Sequence, residues 1–347
     1  MSPARIESTA WMLSLIGLAA LVVGGYTMPT SIAHAWLSTL TVWMSWPLGC
    51  MAVLLVHALT GGRWGLVLRR PLKAGLSTLP LLLLALLPWV WGLTRLYPWL
   101  DASADRLPNH FYLNGPFLAV RGVIYLIVWL GLGLRVWRAF RTADPVPALR
   151  SLAPLGLILL ALTVTFASID LTMSLDPRFT SSIYGLIALL SMGLTALAAS
   201  ILLVVTLSRE TPSPEALATV GKLLQGLVLF WGYLDFMQLL ILWQSNLASD
   251  SAWYVARMSG GWQYYALAIT CCHFLIPAAC LLFAPARRSR RTLGAVAGLV
   301  LLGEILRAWW LVLPAAGLRI EFADLGAMLC LMALGSALVI HRGRVHE

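Results

Sequence analysis

The sequence has few charged residues and few polar stretches. Aspartate, glutamate, lysine and arginine make up 11% of its 347 residues, whereas hydrophobic residues make up 60%. The longest polar connection, residues 96–114, is too short to bury a hydrophobic core of its own. The composition therefore leaves no room for a soluble domain and predicts an all-α polytopic membrane protein.

Cysteine is also scarce. The five cysteines all fall in apolar segments, and neither a C-x-x-C pair nor a C-x-x-C-H haem-attachment sequence occurs. A haem with two axial histidines is disfavoured, because His57 and His273 differ in predicted depth by roughly 15 Å. Cys271, Cys272 and His273 cannot converge on one metal ion, because adjacent helical residues point in different directions. We therefore expect this chain to bind neither a metal nor a redox cofactor, and iron–sulfur clusters or c-type haem to belong to partner proteins.

Ten apolar runs are long enough to cross a membrane as helices. They are centred in residues 10–26, 34–59, 76–95, 115–138, 151–174, 181–207, 217–245, 261–284, 293–313 and 323–341. The second to fifth spans, residues 34–174, could form one four-helix bundle and the sixth to ninth, residues 181–313, another. The first span, 10–26, and the tenth, 323–341, would then flank the two bundles. Such halves, offset by four spans, keep the same orientation in the membrane.

The basic residues predict the orientation of the spans, because lysine and arginine in short connections are retained on the cytoplasmic side. A cytoplasmic N-terminus places 17 of the 24 basic residues on that side, and an even number of spans returns the C-terminus to it. These residues are Arg5, Arg63, Arg69, Arg70, Lys73, Arg135, Arg138, Arg141, Arg150, Arg209, Lys222, Arg287, Arg288, Arg290, Arg291, Arg342 and Arg344. Topology and contact with anionic membrane lipid explain the net charge of +10, so nucleic-acid binding is not implied.

Three further features bear on the ends of the spans. The small-x-small sequence Ala33-His34-Ala35 has the form of a signal-peptide cleavage site, but we expect the first span to be retained. Residues 61–71 mix Trp, Leu and Arg in the manner of a short interfacial helix. Tryptophans near span ends fit an interfacial aromatic belt, and they are Trp36, Trp89, Trp99, Trp243, Trp253, Trp262, Trp309 and Trp310.

Four ionisable residues from three consecutive spans share one predicted depth near the middle of the membrane: Asp235, His273, Glu304 and Arg307. An ionisable group in hydrocarbon persists only when it is paired, hydrated or needed for function. Glu304 and Arg307 are three residues apart and lie on one helix face. The set could be a self-satisfied network, for example with Asp235 paired to Arg307, or a proton relay of carboxylate and imidazole groups.

A second set lies toward the opposite, non-cytoplasmic end of the first bundle. Arg121 is about one turn inside the fourth span, and Asp170 is about one turn from the end of the fifth. Such a pair could hydrogen-bond a quinone head group, with Asp170 taking a proton on quinol oxidation. A salt bridge that closes the end of the bundle is an equal alternative.

Several motifs in order along nearly the whole chain resemble one family. They are Thr60-Gly61-Gly62-Arg63-Trp64-Gly65, Tyr112-Leu113-Asn114 with Arg121, Asp170-Leu171-Thr172-Met173-Ser174-Leu175-Asp176-Pro177, Trp231-Gly232-Tyr233, His273-Phe274-Leu275-Ile276-Pro277 and Trp310-Leu311-Val312-Leu313-Pro314. Together they resemble the polysulfide-reductase/NrfD-like membrane subunits, and most closely the ActF-type subunit of alternative complex III. Asp170, Arg121 and His273 match the family pattern. Asp235, Glu304 and Arg307 depart from it, which puts the proton route of the family in doubt here.

The resemblance implies a ten-span subunit of a quinol:electron-acceptor oxidoreductase in a bacterial inner membrane, without turnover of its own. It also implies partners, namely a paralogous membrane subunit, an iron–sulfur protein and c-type haem subunits. An ActF-type subunit would be a candidate for proton translocation or for completing the quinol-side assembly, with quinone or quinol as a possible ligand. Two other functions stay open: a secondary transporter with a midplane site, and a structural membrane anchor for redox subunits.

Overall fold

The computed structural model describes residues 3–100, 109–207, 212–245 and 248–345. These residues form helices joined by short turns, and no strand occurs among them. Ten stretches of the described chain are helical, long and apolar enough to cross a membrane. The predicted all-α, ten-span architecture is confirmed.

Fourteen α-helices occur in the described residues. They are α1 (Pro3–Thr27), α2 (Pro29–Thr60), α3 (Arg63–Leu76), α4 (Leu82–Leu96), α5 (Gly115–Ala139), α6 (Val146–Leu171), α7 (Tyr184–Leu207), α8 (Pro214–Ser245), α9 (Ala248–Arg257), α10 (Trp262–Ile269), α11 (Ile276–Leu282), α12 (Ala284–Arg288), α13 (Arg290–Val312) and α14 (Phe322–Val345). The third span consists of α3 and α4 together, and the eighth of α10, a π-helical turn at Thr270–Leu275 and α11. The short helices α9 and α12 lie outside the spans.

The third span starts earlier than its predicted residues 76–95, because α3 continues the helix back to Arg63. This helix is amphipathic, with Leu68 and Leu72 on its buried face, so a search for apolar runs does not detect it. A Cβ atom added at Gly65 would collide with the His57 ring, which shows that α3 runs close along the last part of α2. The segment is thus helical as predicted, and it packs lengthwise against α2.

α2 and α7 lie at the centre of the molecule. α2 packs against α4, α6, α7, α13 and α14, and α7 packs against α6, α8 and α13 as well. Gly49 permits the close contact of α2 with α7, because a Cβ atom there would overlap the main-chain carbonyl of Met192. α1 lies along α14 at the periphery. The division of the spans into two four-helix bundles stays a prediction.

Most of the tryptophans that we expected in an interfacial belt are buried inside the protein. Trp36 donates its indole N–H to the carbonyl of Ala85, and Trp99 donates to the carbonyl of Ser174. Both indoles satisfy their N–H group within the protein, as buried tryptophan requires. The belt assignment is wrong for these two residues, whereas Trp243 is 75% exposed.

The arginine-rich end of the molecule contains the connections between α2 and α3, between α5 and α6, and between α11 and α13. The other end is called the opposite end below. The cytoplasmic location of the arginine-rich end stays a prediction. Among the residues used for it, Arg209 lies outside the described residues, as do the side chains of Arg342 and Arg344.

Candidate functional site

Four helices, α2, α6, α7 and α13, line a partly open cavity, which is named the central cavity. Most of its wall is apolar, but it also carries the hydroxyl and charged groups of Thr41, Ser45, Ser168, Thr172, Tyr184, Ser191, Glu304 and Arg307. The volume that the centre of a water molecule can reach inside it is about 70 Å³. One water needs roughly 10–15 Å³ by the same measure, so the cavity can hold several waters.

Glu304 and His273 form a hydrogen-bonded pair beside this cavity. Nε2 of His273 lies 3.1 Å from Oε1 of Glu304, and the two residues are 0% and 6% exposed. Gly303 makes the contact possible, because a Cβ atom at this position would lie 2.6 Å from the Cβ of His273. A carboxylate and an imidazole in direct contact can exchange a proton.

His273 lies in the π-helical turn Thr270–Leu275, which interrupts the eighth span. Pro277 follows the turn and has no N–H, so it cannot donate the α-helical hydrogen bond to the carbonyl of His273. Such single π-turns often occur at functional sites. Nδ1 of His273 is buried and has no hydrogen-bond partner among the described residues, and the ring meets that of Trp231 edge-on at 4.0 Å between centroids. One ring nitrogen is therefore engaged by Glu304 and the other is left for a further proton donor or acceptor.

Arg307 is held by a hydroxyl and an aromatic ring. Its Nη1 donates to Ser191 Oγ at 3.3 Å, and its Cζ lies 5.5 Å from the ring centroid of Trp231. The Trp231 indole N–H donates to the same Ser191 oxygen at 3.0 Å. Among the described residues, no carboxylate lies within 4.0 Å of the Arg307 guanidinium.

Asp235 and Arg307, given above as one example of a pair within a self-satisfied network, therefore make no direct ion pair. Asp235 is half-buried on α8, and its carboxylate makes no hydrogen bond to another described residue, although it interacts electrostatically with Arg307, His273 and Glu304. The physical reason lies on the same helix, where Trp231 precedes Asp235 by one turn and places its ring against the guanidinium. All four predicted residues thus lie in one electrostatic cluster, but the close contacts join His273 to Glu304 and Arg307 to Ser191.

Sequence reasoning did not assign a role to Trp231 or Ser191. Trp231 precedes Asp235 by four residues, so the two lie on one helix face, and this spacing was the available signal. Ser191 is one of many hydroxyl residues in apolar spans. Nothing in the sequence around it indicates that it accepts hydrogen bonds from Trp231 and Arg307. Its location is set by the contact of α7 with α8 and α13.

Arg121 and Asp170 form a buried two-point ion pair between α5 and α6. Nε and Nη2 of Arg121 lie 2.9 and 2.8 Å from the two oxygens of Asp170, and the Tyr125 hydroxyl donates to Oδ2 at 2.6 Å. The third guanidinium nitrogen donates to the carbonyl of Tyr112, whose ring also lies 3.8 Å from the Arg121 Cζ. Both carboxylate oxygens are thus engaged by protein donors, and Asp170 is 1% exposed.

Arg257 is a third buried cation, and it was not among the predicted site residues. Arg257 is 1% exposed at the end of α9, where its guanidinium donates to the carbonyls of Trp253 and Leu311 at 3.1 and 2.7 Å. Burial lowers the pKa of Arg257 to about 10, so the group stays charged at neutral pH. The carbonyls lie in the last turns of α9 and α13, where the helix dipole favours a cation.

No protein-family model matches the sequence, and a comparison with curated proteins finds no match.

Proposed function

We propose that this chain is the integral membrane subunit of a quinol:electron-acceptor oxidoreductase of the alternative complex III type. Its partners would be iron–sulfur and c-type haem subunits and a paralogous membrane subunit, and it would bind no redox cofactor itself. Its own task would be to move protons through the cluster beside the central cavity. The observation that carries this proposal is the buried His273–Glu304 pair next to a cavity that can hold water.

The pair has the parts of a short proton relay. An excess proton carried by water through the central cavity can pass to the Glu304 carboxylate, which then passes it to Nε2 of His273. The imidazole releases a proton from Nδ1, the atom without a partner among the described residues. The imidazole is a cation after it accepts the proton at Nε2 and is neutral again once Nδ1 has released one.

Arg307 and Asp235 would tune this relay. The permanent positive charge of Arg307, which also lines the cavity, lies in the same cluster as the two carboxylates. Asp235 interacts with the same three groups from α8 and would be the acceptor beyond His273. The departures from the family pattern thus fall on the residues that set the charge around a retained histidine.

In this proposal the Arg121–Asp170 pair has a structural role. A quinol head group would have to compete with Arg121 and Tyr125, which already donate three hydrogen bonds to the buried Asp170 carboxylate. The pair would fasten α5 to α6 at the opposite end, where partner subunits that handle quinol would dock.

The test of the relay uses the assembled complex in proteoliposomes. Glu304→Gln and His273→Gln are compared with Glu215→Gln, the same carboxylate-to-amide change at an exposed position on α8. We expect quinol oxidation to continue in all three, with the number of protons moved per electron reduced in the first two variants alone. An unchanged proton-to-electron ratio in both would refute the relay.

A transporter is the second candidate, and the location of the cavity favours it. The lining helices come from both predicted bundles, and transporters with repeated halves bind substrate at such an interface near the midplane. Purification from native membranes separates the two functions. Co-purification with iron–sulfur and multihaem proteins supports the redox subunit, whereas isolation as a homo-oligomer supports the transporter.

A further inference from the structure

Two basic side chains of α3 share one aromatic ring at the arginine-rich end. The Arg69 Cζ lies 5.2 Å and the Lys73 Nζ 4.8 Å from the ring centroid of Phe140, the residue that ends α5. The two cations are one helical turn apart and therefore repel each other. The ring attracts both, but a cation–π contact at an exposed site is weak.

Neither cation has an acidic partner among the described residues. The acid of the adjacent connection, Asp144, accepts a hydrogen bond from the main-chain N–H of Val146 at 3.0 Å. It is thus engaged in the turn that leads into α6. Three exposed arginines add to the positive charge around the ring: Arg70 on α3, and Arg138 and Arg141 on either side of Phe140.

The basic residues around Phe140 lie where a membrane surface is expected, because α3 begins one span and α5 ends another. Further along the same two spans the outer surface is apolar. Leu134 of α5 and Leu83 and Leu84 of α4 are 47%, 49% and 63% exposed. A ligand that satisfies both features has an anionic head and hydrocarbon chains.

We propose that Arg69 and Lys73, beside the Phe140 ring that both contact, bind the phosphate of an anionic phospholipid whose acyl chains lie along α4 and α5. Basic pockets between membrane helices commonly hold such head groups. Arg69 presents paired N–H donors to two phosphate oxygens, and Lys73 adds a point charge. The site is independent of the proton relay, which belongs to other helices.

The test measures the binding of phosphatidylglycerol to the delipidated protein, within its complex if it has one, by thermal stabilisation in detergent. The double variant Arg69→Gln with Lys73→Gln is compared with Arg288→Gln with Arg291→Gln, which removes two exposed arginines at the same end. We expect roughly 30-fold weaker binding in the first variant, as for the loss of two cations at a membrane surface, and unchanged binding in the second. If the first variant does not fold, Lys73→Gln alone is used, with about 5-fold weaker binding expected.

Two further ligands complete the experiment. Phosphatidylcholine should stabilise the protein much less than phosphatidylglycerol, and inorganic phosphate at the same concentration should not stabilise it. Equal affinity in the wild type and the Arg69/Lys73 variant overturns the site. Stabilisation by inorganic phosphate alone overturns the lipid as its ligand, because the hydrocarbon chains would then contribute nothing.

Discussion

Arg257 and Leu311 are joined by a 2.7 Å hydrogen bond from the guanidinium Nη2 to the main-chain carbonyl, which fastens α9 to the end of α13. A reciprocal bond runs from the Trp310 indole N–H to the carbonyl of Arg257 at 3.0 Å. The Trp253 ring of α9 also stacks on the Phe179 ring, with 4.3 Å between the ring centroids. A short helix outside the membrane spans is thus locked onto the opposite end of the span that carries Glu304 and Arg307.

Replacing Arg257 should destabilise the protein although no carboxylate of the described residues lies within 4.0 Å of its guanidinium. Arg257→Met leaves the carbonyls of Trp253 and Leu311 without their donor, and each buried unsatisfied group costs about 1–3 kcal/mol. We expect a loss of about 2 kcal/mol or more and a clear fall in melting temperature in detergent. Arg319→Met, at an exposed position, is the control and should change stability by less than about 0.5 kcal/mol.

The Arg121–Asp170 pair should behave as a buried structural ion pair. Removal of one partner leaves an uncompensated buried charge, so Asp170→Asn and Arg121→Gln should each destabilise the protein by about 3–5 kcal/mol. Arg121→Lys should rescue little, because a lysine cannot make the two-point contact. A thermal-melting double-mutant cycle measures the coupling between the two residues.

If Asp170 instead accepts a proton from quinol, the same variants should give a different result. If Asp170 accepts the quinol proton, Asp170→Asn abolishes quinol oxidation even in complexes that assemble fully at low temperature. If the pair is structural, the assembled fraction keeps its rate per complex. The rate per assembled complex therefore decides between the two roles that the sequence left open.

The sequence predicted the spans well because a membrane imposes one requirement, a long apolar helix, that is visible residue by residue. It placed the start of the third span too late, because the arginines of α3 interrupt the apolar run, although a short helix was predicted over residues 61–71. For the site, depth placed His273 and Glu304 at one level, and the structure joins them at 3.1 Å. Depth could not decide which of two residues one turn apart on the same face of α8 contacts Arg307, and in the structure it is the Trp231 ring rather than the Asp235 carboxylate.

Trp231 should act as a positioning residue for Arg307. Trp231→Phe removes the N–H that donates to Ser191 and leaves a ring of weaker quadrupole beside the guanidinium. We expect about 1 kcal/mol lower stability and a shifted pH profile of proton translocation, because the charge near Glu304 moves. Trp243→Phe, at a 75% exposed position of the same helix, should leave the profile unchanged. A Trp231→Phe profile identical to that of the wild type would limit this residue to packing.

Gly303 should be required for the contact between the eighth and ninth spans. In Gly303→Ala the new methyl group meets the Cβ of His273 at 2.6 Å and its Cα at 3.0 Å, so main chain must move and the imidazole withdraws from Glu304. Overpacking of this kind costs about 1–3 kcal/mol, and we also expect a lower proton-to-electron ratio in the assembled complex.

Gly298 on the same helix supplies the matched control, since a Cβ atom added there meets no atom within 4 Å. Gly298→Ala should therefore be neutral or stabilise the helix by up to about 1 kcal/mol, as alanine favours helix over glycine. If Gly303→Ala lowers the melting temperature while proton translocation stays normal, the His273–Glu304 contact holds the helices together without carrying protons. If both glycine variants behave alike, α13 and the π-helical turn are farther apart than the structure places them. Loss of stability and of translocation in Gly303→Ala alone ties the tight packing of these two spans to the relay.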